Sequence, residues 1–151
     1  MRRMKQNEIE TLVREFGWAT LCMVDPDGHP YGIEFSYFLN GEDICGLVHS
    51  RGLCAKSIKK NPFVCVKICE SDKACKKFRA ASLFGVAAFE FLQEEKDIIW
   101  AWEQLEKQLG KENDYNDIKE KYVAKKLKLP LLKITVYEKT GVTNHFLEEL
   151  A

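Results

Sequence analysis

Trp18-Ala-Thr-Leu-Cys-Met-Val24, Asp25-Pro-Asp-Gly-His29, Pro30-Tyr-Gly-Ile-Glu-Phe-Ser-Tyr-Phe-Leu39 and Asn40-Gly41 form a run of strand, turn, strand, turn. The first segment is rich in β-branched and apolar residues, and it breaks at a turn-forming cluster. The second alternates, with Tyr31, Ile33, Phe35 and Tyr37 on one face and Gly32, Glu34, Ser36 and Phe38 on the other. Asn40-Gly41 is the pair favoured in a type I′ hairpin, so a third strand is expected over 43–49, ending Val48-His49-Ser50. Arg51-Gly52-Leu53-Cys54-Ala55-Lys56 then opens a short basic helix that Asn61-Pro62 stops. A strand that hands hydroxyl, imidazole and cations to the start of a helix is a seat for a phosphate-bearing group.

Outward from this stretch, periodicity organises the rest of the chain. Residues 6–16 carry Ile9, Leu12, Val13 and Phe16 at helical spacing, with Asn7 as N-cap, Glu10 as its acidic partner and Gly17 at the C-terminus. Phe63 to Glu70 alternates as another strand, and Ser71 to Arg79 is a basic loop. A long strand is expected over 80–92, where Gly85 signals a bulge or a close backbone approach. Glu94 to Leu109 reads as a helix with Ile98, Trp102, Leu105 and Leu109 in one stripe, ended by Gly110. Trp100 and Trp102 point in different directions from such a helix, so one is expected to meet a partner subunit or a cofactor. A second helix at 115–127, with Ile118 and Tyr122 one turn apart, a sixth strand from Leu131 to Glu138 and a tail from Thr140 complete the chain.

Six short antiparallel strands with peripheral helices predict a mainly β fold, a six-stranded antiparallel split β-barrel in one domain over 1–151, with a helical insert at about 94–129. An open antiparallel sheet covered by helices is the alternative; closure removes exposed edges and favours the barrel.

The 151 residues balance 23 Lys plus Arg against 23 Asp plus Glu, so no global field favours nucleic acid or an anionic membrane. No apolar run reaches the roughly 20 residues that span a bilayer. The basic, polar N-terminus lacks a signal-peptide core, and a cytoplasmic setting is expected. Six cysteines at 22, 45, 54, 65, 69 and 75 do not then suit a disulfide scaffold, and the four that sit inside apolar strands or a helix read as small packed hydrophobes. Cys65 and Cys69 share a strand face, but at about 13 Å apart they cannot chelate one zinc ion. Cys75, beside Lys76 and Lys77, is expected to be the reactive thiol. His29 reads as a solvated turn residue, and His145 lies in the tail.

The order of these pieces resembles the flavin-binding split-barrel superfamily, which includes pyridoxamine 5′-phosphate oxidase, and within it the nitroimidazole-resistance (Nim-type) proteins. Gly17-Trp-Ala-Thr-Leu-Cys-Met-Val-Asp-Pro-Asp-Gly-His-Pro-Tyr31 is similar to the family's opening "G-x-L-(A/C)-x-V-x-x-D-G-x-P-Y". Val48-His49-Ser50 with Ile58-x-x-Asn61-Pro62-x-Val64-Cys65 resembles its "F-H-S … I-x-x-N-P-x-V-C", and Phe84-Gly85 resembles a later strand signature. The resemblance implies FMN in a groove of a homodimer and a flavin-dependent oxidoreductase acting on a small molecule; the charge balance gives the expectation of no nucleic-acid and no membrane partner. The resemblance also implies the site. Ile33, Glu34, Phe35, Ser36 and Tyr37 would run beside the ring, Val48, His49 and Ser50 would meet the ribityl-phosphate end, and Arg51 and Lys56 would supply cations. Glu34 stands where family members often carry Pro and puts a carboxylate near the ring. Phe78-Arg79-Ala80-Ala81 stands where a "Y-x-S-V" is common, with Arg79 as the compensating cation. The alternative is a non-catalytic flavin or haem carrier or sensor, with His49 or His145 as an axial ligand.

Overall fold

The computed structural model describes residues 1–74, 76–110 and 115–145. Six strands close into an antiparallel barrel: β2 (Trp18–Val24), β3 (Pro30–Asn40), β4 (Asp43–Gly46), β5 (Phe63–Ser71), β6 (Phe78–Leu92) and β7 (Leu129–Thr143). Their order is β7-β4-β3-β2-β5-β6, and β6 returns to β7 to seal the cylinder. The expected split barrel is therefore observed. A two-residue strand, β1 (Arg2–Arg3), adds to the far end of β7.

Alternation decides which side chains fill the barrel. Leu21, Phe35, Tyr37, Ile44, Val64, Val66, Ile68, Leu83 and Ile134 are buried inside it. Two helices close its ends. Helix α1 (Gln6–Glu15) buries Ile9, Leu12 and Val13, and Tyr37 Oη donates to Val13 O at 2.7 Å. Helix α2 (Leu53–Lys60) buries Cys54, Ser57 and Ile58, and Lys60 Nζ donates to Pro26 O in the turn that joins β2 to β3. The turn at the other end of β3, Gly41-Glu42, lines a cavity with Glu10, Val13 and Arg14 of α1. The two helices thus cover opposite mouths.

A second core lies outside the barrel. Helices α3 (Glu95–Leu109) and α4 (Asn116–Ala124) form the insert between β6 and β7. Ile98, Ala101, Trp102 and Leu105 pack with Phe38, Cys45, Leu92, Leu129 and Leu131. Trp100 stacks edge-on against Phe38 at 5.6 Å and is half-buried at the margin of this core, so both tryptophans contribute to it. Ile118, one turn from Tyr122 on α4, is exposed.

Several boundaries differ from expectation for local reasons. The hairpin loop is Gly41-Glu42 with Asn40 paired to Asp43, and only Gly41 has positive φ (+62°), the arrangement of a type II′ turn rather than I′. β4 ends at Gly46, so His49 and Ser50 lie in the following loop and not on a strand. Helix α1 starts two residues earlier than an Asn7 N-cap would place it, with Lys5 as the N-cap. Glu8, not Glu10, accepts the N-cap N–H, that of Lys5, at 3.1 Å. Gly17 follows the C-cap Phe16 as expected, but without the positive φ of a left-handed cap. β7 continues through Thr140 to Thr143 instead of ending in a tail; the segment beyond 145 and Cys75 lie outside the described residues. The bulge expected at Gly85 is present, with the β6–β7 register shifting between Phe84 and Gly85. Among the described residues no helix is long and apolar enough to cross a membrane.

Candidate functional site

Helix α2 begins without a cap. Its N-cap is Gly52, which has no side chain to accept a hydrogen bond, and the first helical bond runs from Lys56 N–H to Gly52 O. The N–H groups of Leu53, Cys54 and Ala55 are therefore available to an outside acceptor, and the helix dipole adds positive potential there. Arg51 and Lys56 are exposed on either side of this turn, and neither enters an ion pair among the described residues. Ser50 is half-buried beside them. The exposed ring of His49 accepts the Arg51 N–H on Nδ1 at 3.1 Å, which leaves Nε2 facing solvent. Val48 is half-buried against the barrel core and anchors this loop.

β3 divides the expected ring-binding residues between two faces. Phe35 and Tyr37 are buried inside the barrel, where burial also pushes the Tyr37 phenol up, and Ile33 packs beside them. Glu34 and Ser36 face outward. Glu34 is exposed, and its Oε1 accepts from Thr20 Oγ1 at 2.7 Å, so its carboxylate sits on an open surface and not in an apolar pocket. A ligand along this strand can meet the backbone and the Glu34 and Ser36 side chains, but not the Phe35 or Tyr37 rings.

Arg79 does not join the α2 group. It stands at the start of β6 below α1, where Nε donates to Glu70 Oε2 at 2.7 Å and Nη2 reaches Glu15 Oε2 at 3.0 Å. The α2 end of β6 lies near Ala87, whose N–H bonds Pro62 O. Eight strand residues separate the two points, about 26 Å.

The outer sheet face carries features that alternation alone does not reveal. Cross-strand register aligns Glu34, Thr20, Lys67, Ser82 and Thr140 in one polar row across five strands. Lys67 Nζ donates to Ser82 Oγ at 2.6 Å, and both line a groove of about 490 Å³ with Arg3, Thr140 and Gly141. The adjacent row is Gly32, Cys22, Cys65 and Phe84. Trp18 and Phe63 stand 60% exposed on this face, with Val24 and Val86 also open. The two-residue period of each strand predicts which side chains face out. It cannot predict the rows, because the β2–β5 register joins segments more than forty positions apart.

The cysteines divide in the same way. Cys45 and Cys54 are buried, and burial pushes each thiol up to about 11, as packed hydrophobes require. Cys22 and Cys65 are half-buried on the outer face and Cys69 is exposed, so packing accounts for only part of the set. Among the described residues the only cluster of metal-type ligands is Asp25, Asp27 and His29. Those groups converge because Asp25 Oδ1 accepts the N–H of Asp27 and of His29 to shape the turn.

No protein-family model and no curated protein matches this sequence. Solved structures do resemble it in fold. A candidate 5-nitroimidazole antibiotic resistance protein from Bacteroides thetaiotaomicron superposes with a TM-score of 0.71 at 16% identity, over 93% of this chain and 86% of that one. A FAD-binding protein from Mesorhizobium loti gives 0.69 at 16% identity over 95% and 98%. A haem storage protein from Vibrio cholerae gives 0.69 at 18% identity over 95% and 97%. The split barrel that these proteins share is the class of fold this chain adopts.

Proposed function

We propose that this protein binds a flavin, FMN in the first instance, and acts as an oxidoreductase on a small molecule, as a homodimer in the cytoplasm. The observation that carries the reading is the uncapped start of α2, with the Arg51 and Lys56 cations left without carboxylate partners. A phosphate dianion would take the free N–H groups and both cations, with Ser50 Oγ as a further donor. The ring would then extend along the outward face of β3, past Glu34 and Ser36. The bound flavin supplies the electron transfer, while the protein positions it and sets its electrostatics. Glu34, held by Thr20, is placed to accept or return a proton at the edge of such a ligand. The exposed Trp18 and Phe63 give a second copy an apolar surface with which to complete the groove. The resemblance in fold to a FAD-binding protein supports the reading.

The test is direct: the purified protein is denatured and whatever small molecule it releases is identified by mass spectrometry, and apoprotein is titrated with FMN. Flavin absorbance and saturable uptake are expected. Arg51→Ala and Lys56→Ala should each weaken binding about tenfold or more, since a hydrogen bond to a charged group contributes roughly 1.5–3 kcal/mol. A colourless protein that ignores added FMN overturns the reading. Haem is the second candidate, supported by the exposed Nε2 of His49 and by the haem storage protein of the same fold. A Soret band on haem addition that is lost in His49→Ala would favour it over flavin.

A further inference from the structure

Strands β2 and β5 meet along three registered pairs, Thr20 with Lys67, Leu21 with Val66, and Cys22 with Cys65. Leu21, Met23, Val64 and Val66 point into the barrel, so the intervening Cys22 and Cys65 both project from the outer face. Residues directly opposed in an antiparallel pair have Cα atoms about 4.5 or 5.5 Å apart. Both separations fall within the roughly 4.4–6.8 Å that a disulfide spans. The thiols are free and half-buried. Burial pushes the Cys65 thiol up and Cys22 pushes it further, a sign that the two sulfurs sense each other. On the other side of Cys22 the opposed residue is Gly32, which is exposed and has no side chain to cover the pair.

We propose that Cys22 and Cys65 form a reversible dithiol–disulfide couple, oxidised by a small hydroperoxide such as hydrogen peroxide and reopened by a dithiol reductant. One thiolate attacks a peroxide oxygen, the O–O bond breaks, and the sulfur becomes a sulfenic acid as water leaves. The second thiol attacks that sulfur, the S–S bond forms, and a second water departs. Two thiols are oxidised and one peroxide is reduced to two waters. Reduction returns two electrons and two protons through thiol–disulfide exchange. The bond staples β2 to β5 where their ladder ends. A reversible disulfide of this kind fits a reducing compartment, where such bonds are transient and redox-sensing. The couple depends on sheet register alone, so it stands or falls separately from the flavin reading.

The experiment uses the full chain with Cys69→Ser and Cys75→Ser, which removes the exposed competitor and the thiol of the basic loop. After peroxide treatment, intact mass should fall by two hydrogen atoms, and non-reducing peptide mapping should join the Cys22 and Cys65 peptides within one chain. Dithiothreitol should restore the mass, and oxidation should raise the thermal midpoint. Cys22→Ser added to this background should abolish both the mass loss and the thermal shift; if it folds poorly, Cys65→Ser serves instead. Oxygen added to either sulfur without linkage, a bond between two chains, a bond to Cys45 or Cys54, or two thiols still open to alkylation would each overturn the proposal.

Discussion

Arg79 belongs to the basic part of the sequence, yet its guanidinium is already occupied by Glu70 and Glu15. A phosphate at that place would have to displace two carboxylates. Arg79→Ala should therefore leave flavin uptake unchanged while lowering stability by about 1 kcal/mol, a modest loss because both acidic partners are partly solvated. Denaturant unfolding beside an FMN titration checks both halves. Glu8 gives a pH-dependent counterpart. Its carboxyl is held below its ordinary value, first by hydrogen bonds from Arg2 at 2.8 and 2.9 Å and then by the Lys5 N–H. A depressed folded pKa stabilises the fold above the unfolded value and ceases to do so as pH falls through the folded one. Glu8→Gln should accordingly lower stability at neutral pH, with the difference from wild type shrinking as pH falls below about 4.5, so that the acid limb of a stability-versus-pH curve flattens. Neither role was visible in the sequence, because the partners of Arg79 come from a distant helix and the neighbouring strand.

At the scale of elements, the local signals were legible and the long-range ones were not. Gly85 announced its bulge because an unsupported glycine in a strand has few other uses. In the structure a Cβ there would lie 2.6 Å from Ile134 Cγ2 and 2.8 Å from Thr135 O. Backbone oxygen cannot retreat as a side chain can, so Gly85→Ala should cost about 1–3 kcal/mol, read as a lower unfolding midpoint. The hairpin after β3 turns at Gly41-Glu42, one residue beyond Asn40-Gly41, because the single glycine satisfies a positive φ at either central position and only pairing to β4 selects one. Leu47-Val48-His49 reads as strand by composition, yet the described chain leaves the sheet at Gly46. Trp100 depends on tertiary packing in a related way. Helical geometry correctly separates it from Trp102, but Phe38 faces out of the barrel and supplies a second apolar surface for it.

For the whole molecule, the barrel was readable from turn spacing and alternation, whereas the composition of its outer wall was not. The closed sheet leaves Trp18 and Phe63 each 60% exposed on one side of the cylinder. If that side receives a second copy, Trp18→Glu and Phe63→Glu should shift the protein toward monomer in sedimentation velocity and weaken flavin retention in parallel. A wild-type protein that sediments as a monomer across the accessible concentration range would remove the homodimer from the proposed function. The candidate site was half legible in the same sense. The cationic loop and short helix are contiguous in sequence, and the structure leaves them open. The polar row from Glu34 to Thr140 needed five strands to be laid side by side.

The pairing of Leu92 with Leu129 has an architectural consequence. The intervening helices enter and leave the barrel at adjacent points, so they hang from it as a detachable accessory rather than as part of its circuit. Exchanging 93–128 for a short turn would keep every rung of the cylinder while baring Phe38 and Cys45. Such a graft point lets one cylinder carry different side walls beside β3, and with them different chambers for whatever reacts there.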